Sequence, residues 1–412
     1  MNFKRCKLAC YTAYFTMSSI FSLPPLLFVT FRELYDISYT LLGTLVLTNF
    51  VTQLTVDLIF TAFSKHFSIK KIVRTMPLIT CLGLLVYAFA PTFFPVHTYV
   101  GLLLGTVIFS VSAGLSEVLL SPVIAAIPSQ TPDRDMSMLH SLYAFGVFTV
   151  VMISTAFLKI FGQENWQYLA VFFALLPVFA AVLFFFSPIP EMKNEEGVKA
   201  QSTPKRRILT MGLLVACIFF GSCAENTMGN WMSGFMEKSL HIDKALGDIL
   251  GMAMFAILLG FTRIAYAKYG KNISRVLMIG MAGAAVCYLT AGLVNFVPVV
   301  FAACILTGIF TAMLWPGALI FMEENVPGIG VSAYALMAAG GDLGASIAPQ
   351  LMGVVTDKVA LSQFAIKLSE KTALTTEQIG MKCGMVVTAV FPVLGILVLV
   401  LAVRHFRKIK KA

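Results

Sequence analysis

The chain has 412 residues, of which 58% are hydrophobic and only 12% charged, with a net charge of +10 and a mean hydropathy of +0.86. Soluble domains carry roughly a quarter charged residues, so this chain cannot cover itself with polar surface, and a water-soluble enzyme or binding domain is excluded. The positive charge does not point to nucleic acid, because Lys and Arg are dispersed in short stretches between apolar runs instead of gathering on one surface.

Apolar runs of about 20 residues, enough to cross a hydrocarbon core about 30 Å thick, recur almost to the end of the chain. The first, Leu8 to Phe31, is too long for a signal-peptide core and ends in Arg32-Glu33 without a small-residue cleavage pattern. It is expected to stay as the first span. Further spans are expected over 39–62, 72–93, 98–126, 136–160 and 166–187, and a second set over 208–236, 245–267, 273–294, 297–321, 329–355 and 380–403. Between the sets, 190–207 is polar and reads as a cytoplasmic linker. The order predicts an all-α membrane protein of twelve transmembrane helices in two pseudo-symmetric six-helix bundles, 1–189 and 208–412. With the N-terminus inside, 22 of the 30 Lys and Arg fall in cytoplasmic stretches, so both termini are expected inside a multi-pass protein of the cell membrane. The stretch 356–380, which puts Lys358, Lys367 and Lys371 outside, is the place where a miscounted helix is expected.

A charge at membrane depth costs several kcal/mol unless it faces a cavity or a partner, which makes buried ionisable residues functional candidates. Asn49 and Gln53 share one face of span 2 and could line a path. Asp57 lies nearer the cytoplasmic end, where snorkelling or an ion pair with the stretch Lys65 to Arg74 is expected. Glu117, within Gly114-Leu115-Ser116-Glu117, is read either as a proton-coupling carboxylate or as a structural partner of another helix. His140 and Tyr143 form a polar strip near the start of span 5. In span 7, Glu225, Asn226 and Trp231 offer acceptors, donors and a flat apolar face, the chemistry that polyhydroxy solutes require. An interfacial-belt position suits Trp231 equally. Trp315-Pro316 in span 10 joins an aromatic to a helix breaker, a pairing read as a bending gate or as simple packing, with Trp315 also a candidate for solute binding; Asp342 follows Gly340-Gly341 in span 11 as a second coupling candidate, Glu225 being the third. The basic stretches after span 2 (Lys65, Lys70, Lys71) and after span 8 (Arg263, Gly270) occupy equivalent places, as gating elements or as plain topology signals.

The eight cysteines are scattered as apolar packers, and neither metal-ligand spacing nor a phosphate-binding loop occurs. No cofactor, no metal and no ATP-driven step is expected.

These features resemble the major facilitator superfamily, and within it the fucose permease-like branch of sugar:proton symporters. Gly114-Leu115-Ser116-Glu117 with Pro122 is similar to that branch's glutamate motif. Leu139-His140-Ser141-Leu142-Tyr143 with Gly146 resembles its span 5 signature, and Ala224-Glu225 with Gly229 and Trp231 its span 7 motif. Ser121 stands where the branch commonly has asparagine, and span 1 around Ser18-Ser19 lacks the aspartate of fucose carriers. The resemblance implies proton coupling or sugar binding at Glu117 and a cavity-lining span 7.

The leading expectation is a monomeric secondary transporter moving a small, sugar-like solute by alternating access with protons. A drug or metabolite efflux carrier, suggested by 35 Phe and 21 Met, and a membrane-embedded sensor or channel are the other readings. No enzyme constellation is visible.

Overall fold

The computed structural model describes residues 3–63, 67–130, 132–190, 204–326 and 331–411. Lys65 and most of the expected linker lie outside the described residues. Among those described, regular structure is entirely helical, as a backbone in lipid demands when it must satisfy its own hydrogen bonds. The first half holds α1 (Lys4–Leu26), α2 (Phe28–Tyr35), α3 (Tyr39–Phe63), α4 (Ile69–Ala88), α5 (Ala90–Phe93), α6 (Thr98–Ala126), α7 (Pro132–Phe161) and α8 (Trp166–Phe185). The second holds α9 (Pro204–Gly234), α10 (Lys244–Leu246), α11 (Met254–Tyr269), α12 (Ile273–Leu293), α13 (Val297–Thr311), α14 (Leu314–Asn325), α15 (Val331–Ala360), α16 (Gln363–Lys371), α17 (Thr376–Thr388) and α18 (Val390–Lys411). Two π-helical segments, Phe235–Ser239 and Gly247–Ala253, flank α10.

Within the described residues, the expected stretches fall on helix. Eight helices among the described residues are long and apolar enough to cross a membrane, or nine if the bent pair α1 and α2 is one span. The others carry charge or are interrupted: α4 opens with Lys70, Lys71 and Arg74, and α15 holds Asp342, Asp357 and Lys358. The bend of 48° between α1 and α2 follows Pro24-Pro25, which supply no N–H to the turn before them. The stretch 356–380 holds no further apolar helix of spanning length. It contains the end of α15, the short polar α16 and the start of α17, whose first turn is closed by a capping box between Thr375 and Gln378.

The chain divides into two compact units, Met1–Ile37 with Thr48–Glu195, and Ser38–Leu47 with Glu196–Ala412. In the first, α1 packs on α7 and α8, and α4 lies against α6 and α8. The α4–α6 crossing is close because of two glycines: a Cβ on Gly83 would stand 2.5 Å from the Phe109 nitrogen, and one on Gly105 2.7 Å from the Tyr87 nitrogen. Backbone cannot retreat as a flexible side chain can, so Gly83→Ala is expected to cost about 1–3 kcal/mol, read as a lower unfolding temperature of the purified protein. At one end of this unit Trp166, fully buried, sits edge-on to Phe31 and Tyr87 and donates from Nε1 to the Tyr35 hydroxyl at 3.0 Å.

In the second unit, residues 38–47 at the start of α3 pack with α9, α15 and α17. The sequence places this stretch in the first bundle. Asp357 accepts from the backbone nitrogens of Tyr39 (3.2 Å) and Thr40 (2.6 Å), satisfying donors that a helix start leaves open. The Tyr39 hydroxyl donates to Glu377 at 2.7 Å. Lys382, within the stretch 380–403 expected as the last span, is buried in α17. It donates to the Val294 carbonyl at 2.6 Å and the Ala291 carbonyl at 3.5 Å, where the end of α12 leaves acceptors without partners.

Candidate functional site

Within the first unit the polar residues of α3 and α6 meet in layers one turn apart. Asn49, Gln53 and Asp57 repeat every four residues on α3 and so share a face. Ser110 donates to the Asn49 Oδ1 at 2.6 Å, and Gln53 Nε2 donates to the same oxygen at 3.1 Å. Gly114 lets the two backbones approach, since a Cβ there would lie 3.1 Å from the Gln53 carbonyl oxygen. One turn further, carboxylate oxygens of Asp57 and Glu117 come within 4.8 Å of each other. Asp57 therefore faces Glu117; the pairing expected with the basic stretch after it is not among the interactions of the described residues. The cause is its position on the α3 face that α6 covers. Gln53 is fully buried and Asp57 8% exposed. Gln53 Oε1 and Asp57 Oδ1 are buried without a hydrogen-bond partner among the described residues, an arrangement that native interiors rarely keep without a function or a ligand.

Tyr143 on α7 is set edge-on to Phe21 of α1 with ring centroids 5.8 Å apart. The side chain of His140 is outside the described residues.

In the second unit, Ser222, Glu225, Asn226, Gly229 and Asn230 share one face of α9, at the three- and four-residue spacing that stacks side chains. Asn226 Nδ2 donates to the Ser222 hydroxyl at 3.1 Å, and Asn230 Nδ2 to the Asn226 carbonyl at 2.7 Å. Glu225 accepts from Arg263 Nη2 at 3.0 Å. Arg263, grouped by sequence with the loop cations, in fact lies inside α11. Its guanidinium also donates from Nε to the Ala312 carbonyl at 2.8 Å. Pro316 explains that acceptor: a helix would bond the Ala312 carbonyl to the nitrogen four residues on, and proline has no N–H there. The helix accordingly breaks between α13 and α14, and arginine fills the vacancy while its other end neutralises Glu225.

Trp231, expected to face solute or the membrane interface, is instead 1% exposed. Its ring lies 5.6 Å from that of Tyr39, and Nε1 donates to the Pro349 carbonyl at 3.0 Å. The size of the ring and its single donor are both used in packing, so no face is left for a solute. Trp231→Phe is expected to cost about 1 kcal/mol, the net worth of one hydrogen bond, and to leave solute affinity within twofold; thermal unfolding and binding isotherms check the two parts. Trp315 rests its ring tip against Gly341. Asp342 is 2% exposed on α15, where Gly340 and Gly344 lie against Val215 and Phe219 of α9. Lys70 and Lys71 are exposed on the first turn of α4, and Gly270 closes α11, its nitrogen donating to the Tyr266 carbonyl at 2.7 Å.

A further charged group was not legible in sequence. Lys244 lies 3.7 Å from Glu237 and 3.5 Å from Asp248, and Ser233 bonds Asp248 at 2.5 Å, between the two π-helical segments.

Apolar helices of spanning length, holding carboxylates, amides and an ion pair within their bundles, define a polytopic membrane protein with polar groups at depth. The sequence profile of the Major Facilitator Superfamily matches residues 9–349. The chain belongs to that superfamily, whose members are transporters rather than enzymes. Solved structures share its fold. A bacterial homolog to the human lysosomal transporter Spinster, inward-facing and occupied, matches with a TM-score of 0.75 at 14% identity over 98% of this chain and 97% of that one. A D-xylose-proton symporter matches with a TM-score of 0.72 at 13% identity over 94% and 96%. FucP, in its outward conformation, matches with a TM-score of 0.57 at 14% identity over 96% and 99%. At such identities the likeness is one of fold. No curated protein sequence matches the chain.

Proposed function

We propose that this protein is a secondary active transporter that moves a small, sugar-like solute across the cell membrane by alternating access, coupled to protons through Glu117. The observation that carries the reading is the position of Glu117: a carboxylate inside the apolar helix α6, within 4.8 Å of a second carboxylate, Asp57, and with no ion pair from the described residues. Two such groups cannot both stay ionised cheaply at membrane depth, so one of them gains or loses a proton as its surroundings change. The hydroxyls of a sugar need paired donors and acceptors. Asn49 and Gln53 on α3, and Glu225, Asn226 and Asn230 on α9, offer that chemistry. One fold relative, a D-xylose-proton symporter, agrees with this class of solute.

Glu225 takes a second role in this reading, exchanging Arg263 for solute hydroxyls, and Asp342 is the remaining coupling group. The efflux reading draws on the many Phe, but Phe161, Phe179, Phe185 and Phe186 are exposed at the outside of their helices, the place of lipid-facing side chains. Proteoliposomes with an acid exterior test the proposal. Labelled monosaccharides or nucleosides are expected to accumulate above their external concentration, and a protonophore is expected to release them. Equilibration without accumulation for every solute of these classes would exclude coupled transport of them.

A further inference from the structure

We infer that α16 lies along the phospholipid headgroup layer at one end of the second unit, with Leu361, Phe364 and Leu368 set against acyl chains and Lys367 and Lys371 holding lipid phosphate. The inference is independent of the solute and of proton coupling.

The neighbouring helices fix its depth. Lys382 of α17 donates to the Val294 carbonyl, so this level of α17 matches the end of α12, a helix of spanning length that stops at Leu293. Ala360, the last residue of α15, meets α17 at Gly380, where a Cβ would stand 3.2 Å from the Ala360 Cβ. Two residues of helix rise about 3 Å, and α15 therefore ends about 3 Å beyond the end of α12. Headgroups occupy roughly 5–8 Å on each side of the hydrocarbon, so the chain leaves α15 within that layer. From there α16 starts at Gln363 and packs on both α15 and α17, which holds it near this depth.

The faces of the helix suit such a place. Ser362 caps it, accepting from the Ala365 nitrogen at 3.2 Å, and Ala365, fully buried, marks the side that rests on protein. Leu361, Phe364 and Leu368 follow one another at helical spacing beside it. Leu361 is 83% and Phe364 58% exposed, a costly display of apolar surface if water were the neighbour. Lys367 and Lys371 border this stripe and are exposed, with no ion pair among the described residues. Gln363 and Glu370, seven residues apart, fall on the remaining side. A helix with an apolar stripe bordered by lysines lies in a membrane interface, the lysine stems running along the apolar surface while their amines reach phosphate. A second copy fits less well, because a twofold contact through this stripe would bring the same lysines together. Lipid phosphate also gives a partner to two of the lysines that the sequence places, against the usual charge bias, on the outer side.

Hydrogen exchange of the peptide 361–372 tests this, with the full chain held singly in lipid nanodiscs. A helix this short is marginal in water by itself, so its exchange reports what covers it. Exchange is expected to be roughly tenfold slower in phosphatidylglycerol discs than in phosphatidylcholine discs, the effect of two lysines at an anionic surface. The double variant Lys367→Gln with Lys371→Gln should lose that difference, and Phe364→Ser should exchange faster in both lipids. Unchanged exchange of α15 and α17 in the same samples shows that the variants keep their fold. Equal wild-type exchange in the two lipids would overturn the phosphate contact, and no change in Phe364→Ser the apolar one; either result sinks the inference. It is also overturned if inorganic phosphate slows exchange in phosphatidylcholine to the phosphatidylglycerol level, which marks a free-anion site, or if protection appears only with two chains per disc, which marks a second copy. The wild-type comparison of lipids decides even where a variant does not fold.

Discussion

Glu117→Gln is expected to abolish accumulation driven by a pH gradient while leaving passive exchange of solute intact. A gradient of one pH unit stores about 1.4 kcal/mol per proton, enough to hold a solute at roughly tenfold excess for one proton per cycle. The variant should therefore fall from roughly that ratio to unity, whereas labelled solute inside should still exchange with unlabelled solute outside. Glutamine keeps the shape and one acceptor of glutamate but cannot take up and release the proton. Asp57→Asn, which removes the neighbouring charge and keeps the size, is expected to retain some accumulation. Loss of exchange together with accumulation in Glu117→Gln would instead mark Glu117 as a solute-binding or structural group.

The second large effect is expected at the ion pair of the other unit. Arg263→Met should destabilise the protein by about 1–2 kcal/mol, less than a fully buried pair would lose, because the two side chains are 34% and 20% exposed. Two groups lose their partner at once: Glu225, bonded at 3.0 Å, and the Ala312 carbonyl, bonded at 2.8 Å. In the double variant with Glu225→Gln the uncompensated charge is gone, and part of the loss should return. A double-mutant cycle on the unfolding temperature measures this recovery. If the two single effects simply add, Glu225 and Arg263 do not act as a pair.

The apolar runs made the helices legible because a span needs only length and low charge, and within the described residues the expected stretches from 8–31 to 380–403 fall on helix. Less legible were the breaks. Pro24-Pro25 and Pro316 each announce missing donors, yet only the structure shows that the first produces a bend and that the second frees the Ala312 carbonyl for Arg263. The role of Lys382 was equally hidden: its reach to the Ala291 and Val294 carbonyls at the end of α12 depends on a neighbour about 90 residues away in sequence.

The same limit applies to the site. Asn49, Gln53 and Asp57 can be put on one face by their spacing, and Ser110, Gly114 and Glu117 on another, but no local signal says that the two faces meet. Asp57 was therefore assigned to the basic stretch that follows it, and its proximity to Glu117 was missed. Trp231 illustrates the opposite case: its aromatic face suggested a solute platform, while Gly353 and the Pro349 carbonyl that enclose it belong to the distant helix α15. The assignment of Arg263 to a loop failed because its partner is 38 residues earlier, on α9.

The most direct test of coupled transport through Glu117 is the external pH of a lightly buffered suspension of proteoliposomes when solute is added. The account predicts a transient alkalinisation that depends on solute, grows with the amount of protein and disappears in Glu117→Gln. Solute entry with no proton movement, or an alkalinisation of equal size in Glu117→Gln, would contradict it.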